Sequence, residues 1–161
     1  MTAIKRNDIF LYTISIVLCA VSFFAVSQNA KYSLLPHKTA MEYLYNFNFV
    51  YIEGVGYEQA NGLFTITQGC SGVKLFINLF LIMVFGFLHK YSGKKRKIAT
   101  VVKFYFMAMF LAFAITLTRI AVSIPFCTWE RFYLIHNAIS LCIYFVAGLV
   151  LYFIMERRVR I

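Results

Sequence analysis

Charged residues are scarce in this chain of 161 amino acids. Asp, Glu, Lys and Arg make up 14% of it, whereas soluble domains carry about 25%; apolar residues reach 61%, whereas about 45–50% is usual. This composition excludes an ordinary soluble domain and indicates a protein surrounded by lipid. The formal net charge of +10 could suggest nucleic acid binding, but the basic residues form short clusters between apolar runs. Such clusters are typical of membrane proteins, so we expect membrane lipid and no nucleic acid as a partner.

The chain also lacks the cysteine patterns of metal sites. Its four cysteines form no Cys-X-X-Cys pair and no Cys/His spacing of the zinc type, so we expect no metal. Cys19 and Cys142 lie inside apolar runs, which predicts small core residues.

Four apolar runs are each about long enough, at roughly 20 helical residues, to cross a bilayer. They predict an all-α integral membrane protein that forms a single domain over residues 1–161, with spanning helices at about 9–26, 70–88, 98–118 and 132–155. The first run could instead be a cleaved signal peptide. It is longer than a usual signal core of about 7–15 residues, so we expect a retained helix.

Basic residues orient these runs. Ten Lys and Arg residues against two acids lie in the N-terminal segment, the loop between runs two and three, and the tail. The linkers on the opposite side carry four basic and four acidic residues. The positive-inside rule therefore predicts that both termini are cytoplasmic, which is consistent with an even number of spans.

The linker at residues 27–69 would then lie outside the cytoplasm. Apolar residues recur at helical spacing from Met41 to Phe49, after Pro36, which predicts an amphipathic helix at the membrane surface. Two β-prone runs, VYIEGVGYE and LFTITQ, flank a turn signal at Asn61-Gly62 and predict a short β-hairpin. Its second strand leads directly into Cys70.

Three chemically active side chains are predicted at the same membrane face. Cys70 lies at or just before the first turn of the second helix, Arg119 at the end of the third, and His136 about one turn inside the fourth. The positive end of a helix and a nearby cation both favour a thiolate. An imidazole can move the proton, and a guanidinium can stabilise an oxyanion or hold a carbonyl. This pattern predicts a nucleophilic site.

The neighbours of Cys70 have two readings. Lys74 is four residues later and is expected to face the same side. Glycines such as Gly72 either let backbone amides approach a substrate or only form the strand-to-helix turn. Ser123 and Asn137 are candidates for orienting the site, whereas His37 and His89 are expected to be solvated loop residues.

Structural alternatives exist for each member of the trio. Cys70 could be a structural thiol or form a disulfide with Cys127, Arg119 could anchor a helix end at the headgroups, and His136 could be a packing residue. The second reading of the chain is therefore a non-catalytic membrane scaffold or accessory subunit. A transporter or channel would need polar groups deep in several helices, and the runs contain few.

The trio resembles a known family. Cys70-Ser71-Gly72 opening an apolar helix, the arginine of LTRIAVSI (Arg119) and the histidine of LIHNAISLCIYF (His136) resemble the exosortase/archaeosortase family of membrane transpeptidases. The resemblance covers roughly residues 49–155. With one apolar run before the motif, the chain looks like the compact forms called exosortase K.

The resemblance implies an enzyme of the bacterial or archaeal cell membrane with its active site outside the cytoplasm. Its substrate would be a secreted protein with a C-terminal motif, a transmembrane tail and a basic cluster. Cys70 would form an acyl-enzyme, His136 would be the general acid and base, and Arg119 the electrostatic stabiliser. Lys74, Ser71 and Gly72 would contact the substrate, which would be transferred to a surface anchor. No metal and no organic cofactor is implied.

Overall fold

The computed structural model describes residues 6–129 and 131–159. Within these residues the chain forms five α-helices and three β-strands, joined by short 3-10 turns. The elements are α1 Arg6–Gln28, α2 Ala30–Tyr45, β1 Phe49–Ile52, β2 Gly56–Gln59, β3 Thr65–Thr67, α3 Val73–Phe87, α4 Lys94–Ser123 and α5 Phe132–Val159.

Four stretches centred on α1, α3, α4 and α5 are long and apolar enough to cross a membrane. They coincide with the four predicted runs, although α4 begins at Lys94 and ends at Ser123, several residues beyond the predicted 98–118. The length and composition of these four helices are those of a multi-pass membrane protein. Its orientation stays a prediction, which depends partly on Lys5, Glu130 and Arg160, and these lie outside the described residues.

The third helix, α3, is the centre of the bundle. Half of its most apolar window is buried, against 17% for α1 and 11% for α5. Large apolar residues recur three and four positions apart along α3, so two adjacent faces can pack at once. Phe80, Met83 and Val84 are fully buried there, against α1 on one side and α4 on the other.

The predicted surface helix is present as α2, but its predicted bounds were wrong. It begins at Ala30, well before Pro36, and ends at Tyr45. The next residue, Asn46, adopts a left-handed conformation with φ of 51° and terminates the helix. Phe49 consequently belongs to β1. Pro36 removes one intrahelical hydrogen bond. Burial of Leu34 and Met41 on either side of the proline holds the helix together.

The predicted hairpin at Asn61-Gly62 is present as β2 and β3, but it is only part of a three-stranded antiparallel sheet in the order β1-β2-β3. The run VYIEGVGYE was expected to be one strand and instead folds back on itself. Gly54 has a φ of 78°, and the Val55 N–H donates to the Ile52 carbonyl across this turn. The sequence pattern does not predict this turn, because residues 52–56 contain no strong two-residue turn pair.

The sheet and α2 together cover one end of the bundle. Buried residues of the sheet, Tyr57 and Ile66 among them, pack with Leu34 and Met41 of α2 and with Ile120 of α4. The Tyr45 hydroxyl donates to the Ala121 carbonyl at 2.8 Å and ties α2 to the end of α4. Strand β3 then runs into a 3-10 turn, Gln68–Ser71, which delivers Cys70 to this covered end.

Candidate active site

Cys70 lies in the 3-10 turn just before α3, one of the two positions expected for it. Its side chain is only 6% exposed and belongs to the apolar cluster that joins the sheet, α2 and α4. Within the described residues, the Cys70 sulfur has no hydrogen-bond partner and no disulfide. Cys127 is also a free thiol and packs against the same cluster.

Gly72 separates Cys70 from α3 by a left-handed residue with φ of 73°. A Cβ on Gly72 would lie 2.6 Å from Thr116 Oγ1 and 3.3 Å from the Ala112 carbonyl oxygen, so only glycine allows α4 to approach this closely. The structure thus favours the turn-forming explanation for Gly72.

The same break alters the expectation for Lys74. Four-residue spacing places two side chains on one face only within a continuous helix, and Gly72 interrupts the helix between Cys70 and Lys74. That step of the prediction was wrong. Lys74 is exposed whereas Cys70 is buried, and a substrate contact for Lys74 stays a prediction.

Arg119 reaches across from α4 to the Cys70 segment. Its Nη2 donates to the carbonyl of Gly69, the residue before Cys70, at a long 3.5 Å, and its Nη1 donates to the Tyr144 hydroxyl at 2.7 Å. The guanidinium carbon also lies 5.6 Å from the centre of the Tyr144 ring. Arg119 therefore links the start of α3 to the middle of α5.

Arg119 is 7% exposed, and its Nε has no hydrogen-bond partner in the described part of the chain. No salt bridge to Arg119 is found in the described part of the chain; the pairs Lys38–Glu42 and Lys97–Asp8 lie elsewhere. A buried charge without a counter-ion is costly and is uncommon outside functional sites. The position is suited to an oxygen that gains negative charge.

His136 is held on α5 by the end of α4. The Ser123 hydroxyl donates to the Arg119 carbonyl at 2.8 Å, and His136 Nδ1 lies 3.0 Å from the Ser123 oxygen. Because the single hydroxyl proton of Ser123 is already used, Nδ1 must be the donor to Ser123. The neutral imidazole is then the Nδ1–H tautomer, which leaves the lone pair of Nε2 free to accept a proton.

The sequence offers Ser123 and Asn137 equally as candidates for orienting the site. Ser123 is buried and bonds to His136, whereas Asn137 is exposed. Tyr144, the partner of Arg119, was missed. It is eight positions after His136, two steps of four along α5, and this recurrence of polar groups within an apolar run is the signal that identifies it.

The structure thus brings Arg119 to the segment that carries Cys70 and binds His136 to the helix that carries Arg119. All three side chains lie at the end of the bundle covered by α2 and the sheet. In the described residues, no hydrogen bond joins the Cys70 sulfur to His136; the Cys70 cluster extends toward His136 through Phe132, whose ring centre is 5.6 Å from that of His136.

His37 contradicts its expectation as a solvated loop residue. It is on α2 with 2% of its surface exposed, and its ring packs edge-on against Phe113 at 4.8 Å. Neither ring nitrogen has a hydrogen-bond partner among the residues described. The signal that the sequence reading overlooked is the spacing of Leu34, His37 and Met41 on one face of α2.

Burial, with a smaller contribution from the positive charge of Arg119, lowers the pKa of His37 from 6.5 to about 4. The Ser33 carbonyl, which is outside hydrogen-bonding geometry, partly offsets this effect. His37 is therefore neutral at physiological pH.

The remaining predictions on cysteine and histidine were confirmed for Cys19 and His89 and wrong for Cys142. Cys19 is buried as expected, but Cys142 is exposed, and it lines an open apolar groove between α5 and the helices α3 and α4. His89 is exposed as expected. Over residues 6–129 and 131–159, no group of three or more His, Cys, Asp or Glu side chains is arranged to hold a metal ion.

Comparison of the chain with protein-family models, with curated proteins and with solved structures gave no match. The proposals below therefore depend on the geometry of this site and on the motif resemblance described above.

Proposed function

We propose that the protein is an exosortase-like cysteine transpeptidase or endopeptidase of the cell membrane. It acts on secreted proteins that end in a short motif, a transmembrane tail and a basic cluster. Cys70 is the nucleophile, His136 the general acid and base, and Arg119 the electrostatic stabiliser.

Arg119 carries the proposal. It is a buried guanidinium without a carboxylate partner in the described chain, and it contacts the backbone immediately before Cys70. A tetrahedral intermediate formed on Cys70 would develop its negative oxygen in this neighbourhood. A fixed donor in a dry site stabilises such an oxygen far more than it would in water.

The steps balance without a cofactor. His136 Nε2 accepts the thiol proton of Cys70, the sulfur bonds to the peptide carbonyl carbon, and the carbon–nitrogen bond breaks as the proton passes to the leaving amine. A thioester on Cys70 remains. An acceptor amine or water then attacks the thioester and gives its proton to His136, and the thiol is regenerated. The Nδ1–H bond to Ser123 keeps Nε2 available in both halves of the reaction.

The sheet supports recognition of an extended motif. Strand β3 is at one edge of the sheet and leads without interruption to Cys70. A peptide paired with this edge would be directed along the chain toward the nucleophile, as in other cases of strand addition.

The proposed membrane topology adds a second constraint. A tail that diffuses within the bilayer presents its junction at the same depth as the site, which raises the effective concentration of the scissile bond. Both termini of the enzyme would be cytoplasmic.

One observation favours the alternative, a scaffold or accessory subunit. Cys70 is 6% exposed within a packed apolar cluster, and such cysteines often act only as small apolar residues. Catalysis would require α2 or the sheet to move away far enough to admit a substrate.

Trapping of an acyl group on Cys70 distinguishes these functions. The full chain would be purified from membranes of its native host after brief treatment with acid, and its peptides analysed by mass spectrometry with and without hydroxylamine. We expect a hydroxylamine-sensitive adduct on the Cys70 peptide of the wild type that is lost in His136→Gln, because acylation needs His136 both to accept the thiol proton and to protonate the leaving amine.

Cys127→Ala is the matched control, because Cys127 is a free thiol beside the same cluster. The adduct should persist in that variant and be absent in Cys70→Ala. Equal processing of a cognate secreted protein by wild type and Cys70→Ala would leave the scaffold as the better description.

A further inference from the structure

A cavity of about 480 Å³ lies against the Ser71-Gly72 segment, and its lining contains no residue of the sheet. It is walled by α1, α2, the start of α3 and the middle of α4, and most of its lining is apolar. Met109 and Phe110 form one wall, and both are half or more exposed on the outer surface of the bundle. The cavity thus opens sideways onto the surface that would face lipid.

The dimensions of this cavity limit the length of its occupant. Its wall on α4 runs from Tyr105 to Phe113, which is about 12 Å at roughly 1.5 Å per residue. A slot of this length, open along one side to the lipid-facing surface, admits part of one extended chain.

The positions of the polar groups along the cavity indicate the chemical nature of the chain that it binds. At the deep end the hydroxyls of Ser22 and Tyr105 satisfy each other at 2.8 Å. An extended peptide would carry several backbone N–H and C=O groups into this apolar passage without partners, at a cost of about 1–3 kcal/mol for each group. A hydrocarbon chain carries none.

Free polar groups cluster at the other end, beside Cys70. His37 has two unpaired ring nitrogens and is 98% buried, and the Ser71 oxygen accepts only a long 3.5 Å bond from the Val73 N–H among the described residues. In the proposed topology this end is at the depth of lipid backbone oxygens, and the Tyr105 end points toward the bilayer centre.

We propose that this cavity, bounded by His37, Ser71 and Tyr105, binds one acyl chain of a two-chain membrane lipid. The chain enters between α1 and α4, its terminus lies near Tyr105, and an oxygen of the lipid backbone accepts a hydrogen bond from His37 after the imidazole turns toward the cavity. The site is separate from the proposed transpeptidase chemistry and does not require it.

Photo-crosslinking tests this site in the full chain reconstituted in nanodiscs. The probe is phosphatidylglycerol with a diazirine near the middle of one acyl chain, and labelled peptides are mapped by mass spectrometry. We expect saturable labelling of the α4 peptide at residues facing the cavity, which excess unlabelled phosphatidylglycerol displaces. Phe106 is on the same helix, 58% exposed and not among the residues lining this cavity; it should show only unsaturable background.

Substitutions distinguish lipid binding in this cavity from general contact between lipid and the outer surface. Met109→Trp should reduce saturable labelling about tenfold by filling the passage, whereas Phe106→Trp, which places the same side chain on the outer face, should leave it unchanged. Val26→Trp narrows the cavity from α1 and serves if Met109→Trp does not fold. His37→Phe keeps the ring contact with Phe113 and removes both nitrogens, and it should weaken labelling about 3- to 10-fold.

Three outcomes would overturn the proposal. Labelling that does not saturate, or that is equal on the Phe106 face, would indicate ordinary surrounding lipid. Labelling by a diazirine fatty acid but not by phosphatidylglycerol would exclude a two-chain lipid. Displacement of the probe by an apolar transmembrane peptide, with the peptide crosslinked in its place, would assign the cavity to a protein segment. Because binding is read without catalysis, none of these results depends on acylation of Cys70.

Discussion

At the scale of single residues, Arg119 and His37 carry buried polar atoms that no described residue satisfies. Such an atom costs about 1–3 kcal/mol when it is left unpaired, and native proteins contain few of them. Both residues are beside the segment that carries Cys70. A chain that retains two unfavourable groups at one place is expected to use them there.

Ser123 gives a residue-scale prediction about His136. Ser123→Ala removes the acceptor of the Nδ1–H bond, so the imidazole loses the tautomer that keeps Nε2 free. We expect the rate of Cys70 acylation to fall about 10- to 100-fold, with only a small decrease in melting temperature from the lost bond to His136. Thr118→Ala is the control, because the Thr118 hydroxyl makes the same bond to the helix backbone but contacts no histidine. Unchanged acylation in Ser123→Ala would remove the assigned role of His136.

His37 gives a prediction about pH. Its pKa is about 4 in the folded chain and about 6.5 when unfolded, so the unfolded state binds more protons between these values. The free energy of unfolding should therefore decrease as pH falls from about 6.5 toward 4, by at most roughly 3 kcal/mol, and should not depend on His37 above that range.

Thermal unfolding in detergent from pH 4 to 7.5 measures this effect. His37→Phe should lose that part of the pH dependence, whereas His89→Phe, at an exposed position, should retain it. Equal slopes in wild type and His37→Phe would show that His37 is not the titrating group.

At the scale of elements, the junction between β3 and α3 determines where Cys70 lies. The left-handed Gly72 turns the chain so that Cys70 packs under the sheet and α3 enters the bundle. Pattern reading placed a helix start here and a hairpin before it, because both are local signals. The break at Gly72 is not a local signal. It is required because Thr116 of α4 lies too close to this position for any side chain.

Substitutions at Gly72 and Gly54 distinguish the cost of backbone strain from the cost of a clash with α4. Gly72→Ala should lower the free energy of unfolding by more than about 2 kcal/mol, because φ strain of roughly 1–2 kcal/mol adds to a clash with Thr116. Gly54→Ala has a similar φ but open space around it, so it should cost only the strain.

A Thr116→Ala background removes the hydroxyl that the new methyl group meets. We expect the double variant to recover part of the lost melting temperature. No recovery at all would mean that contact with Thr116 is not what restricts position 72.

At the scale of the whole molecule, a salt bridge joins the start of α1 to the start of α4. The Lys97 ammonium bonds to the Asp8 carboxylate, and each side chain is only 12% exposed. Leu11 and Cys19 of α1 also belong to the bundle core. These contacts support retention of the first helix in the mature protein.

Disruption of this pair tests the contribution of α1. Asp8→Asn leaves Lys97 buried without its partner and should destabilise the protein by about 3 kcal/mol, whereas Lys38→Met, which breaks a more exposed pair within α2, should cost less than about 0.5 kcal/mol. Asp8→Asn with Lys97→Met should be milder than Asp8→Asn alone. Intact mass of the mature chain should include Asp8, and a mature chain that begins after residue 28 would contradict retention.

The amino-acid sequence by itself determined the four long apolar helices, the helix and hairpin between the first two, and the order of Cys70, Arg119 and His136 along the chain. These features follow from hydrophobic run length, turn chemistry and residue identity, all of which are local. Only the tertiary structure decided the third strand, the burial of His37, the partners Tyr144 and Ser123, and the separation of Lys74 from Cys70. Each of these features depends on which helix face packs against which neighbour. That packing is determined by contacts between side chains that are far apart in the sequence.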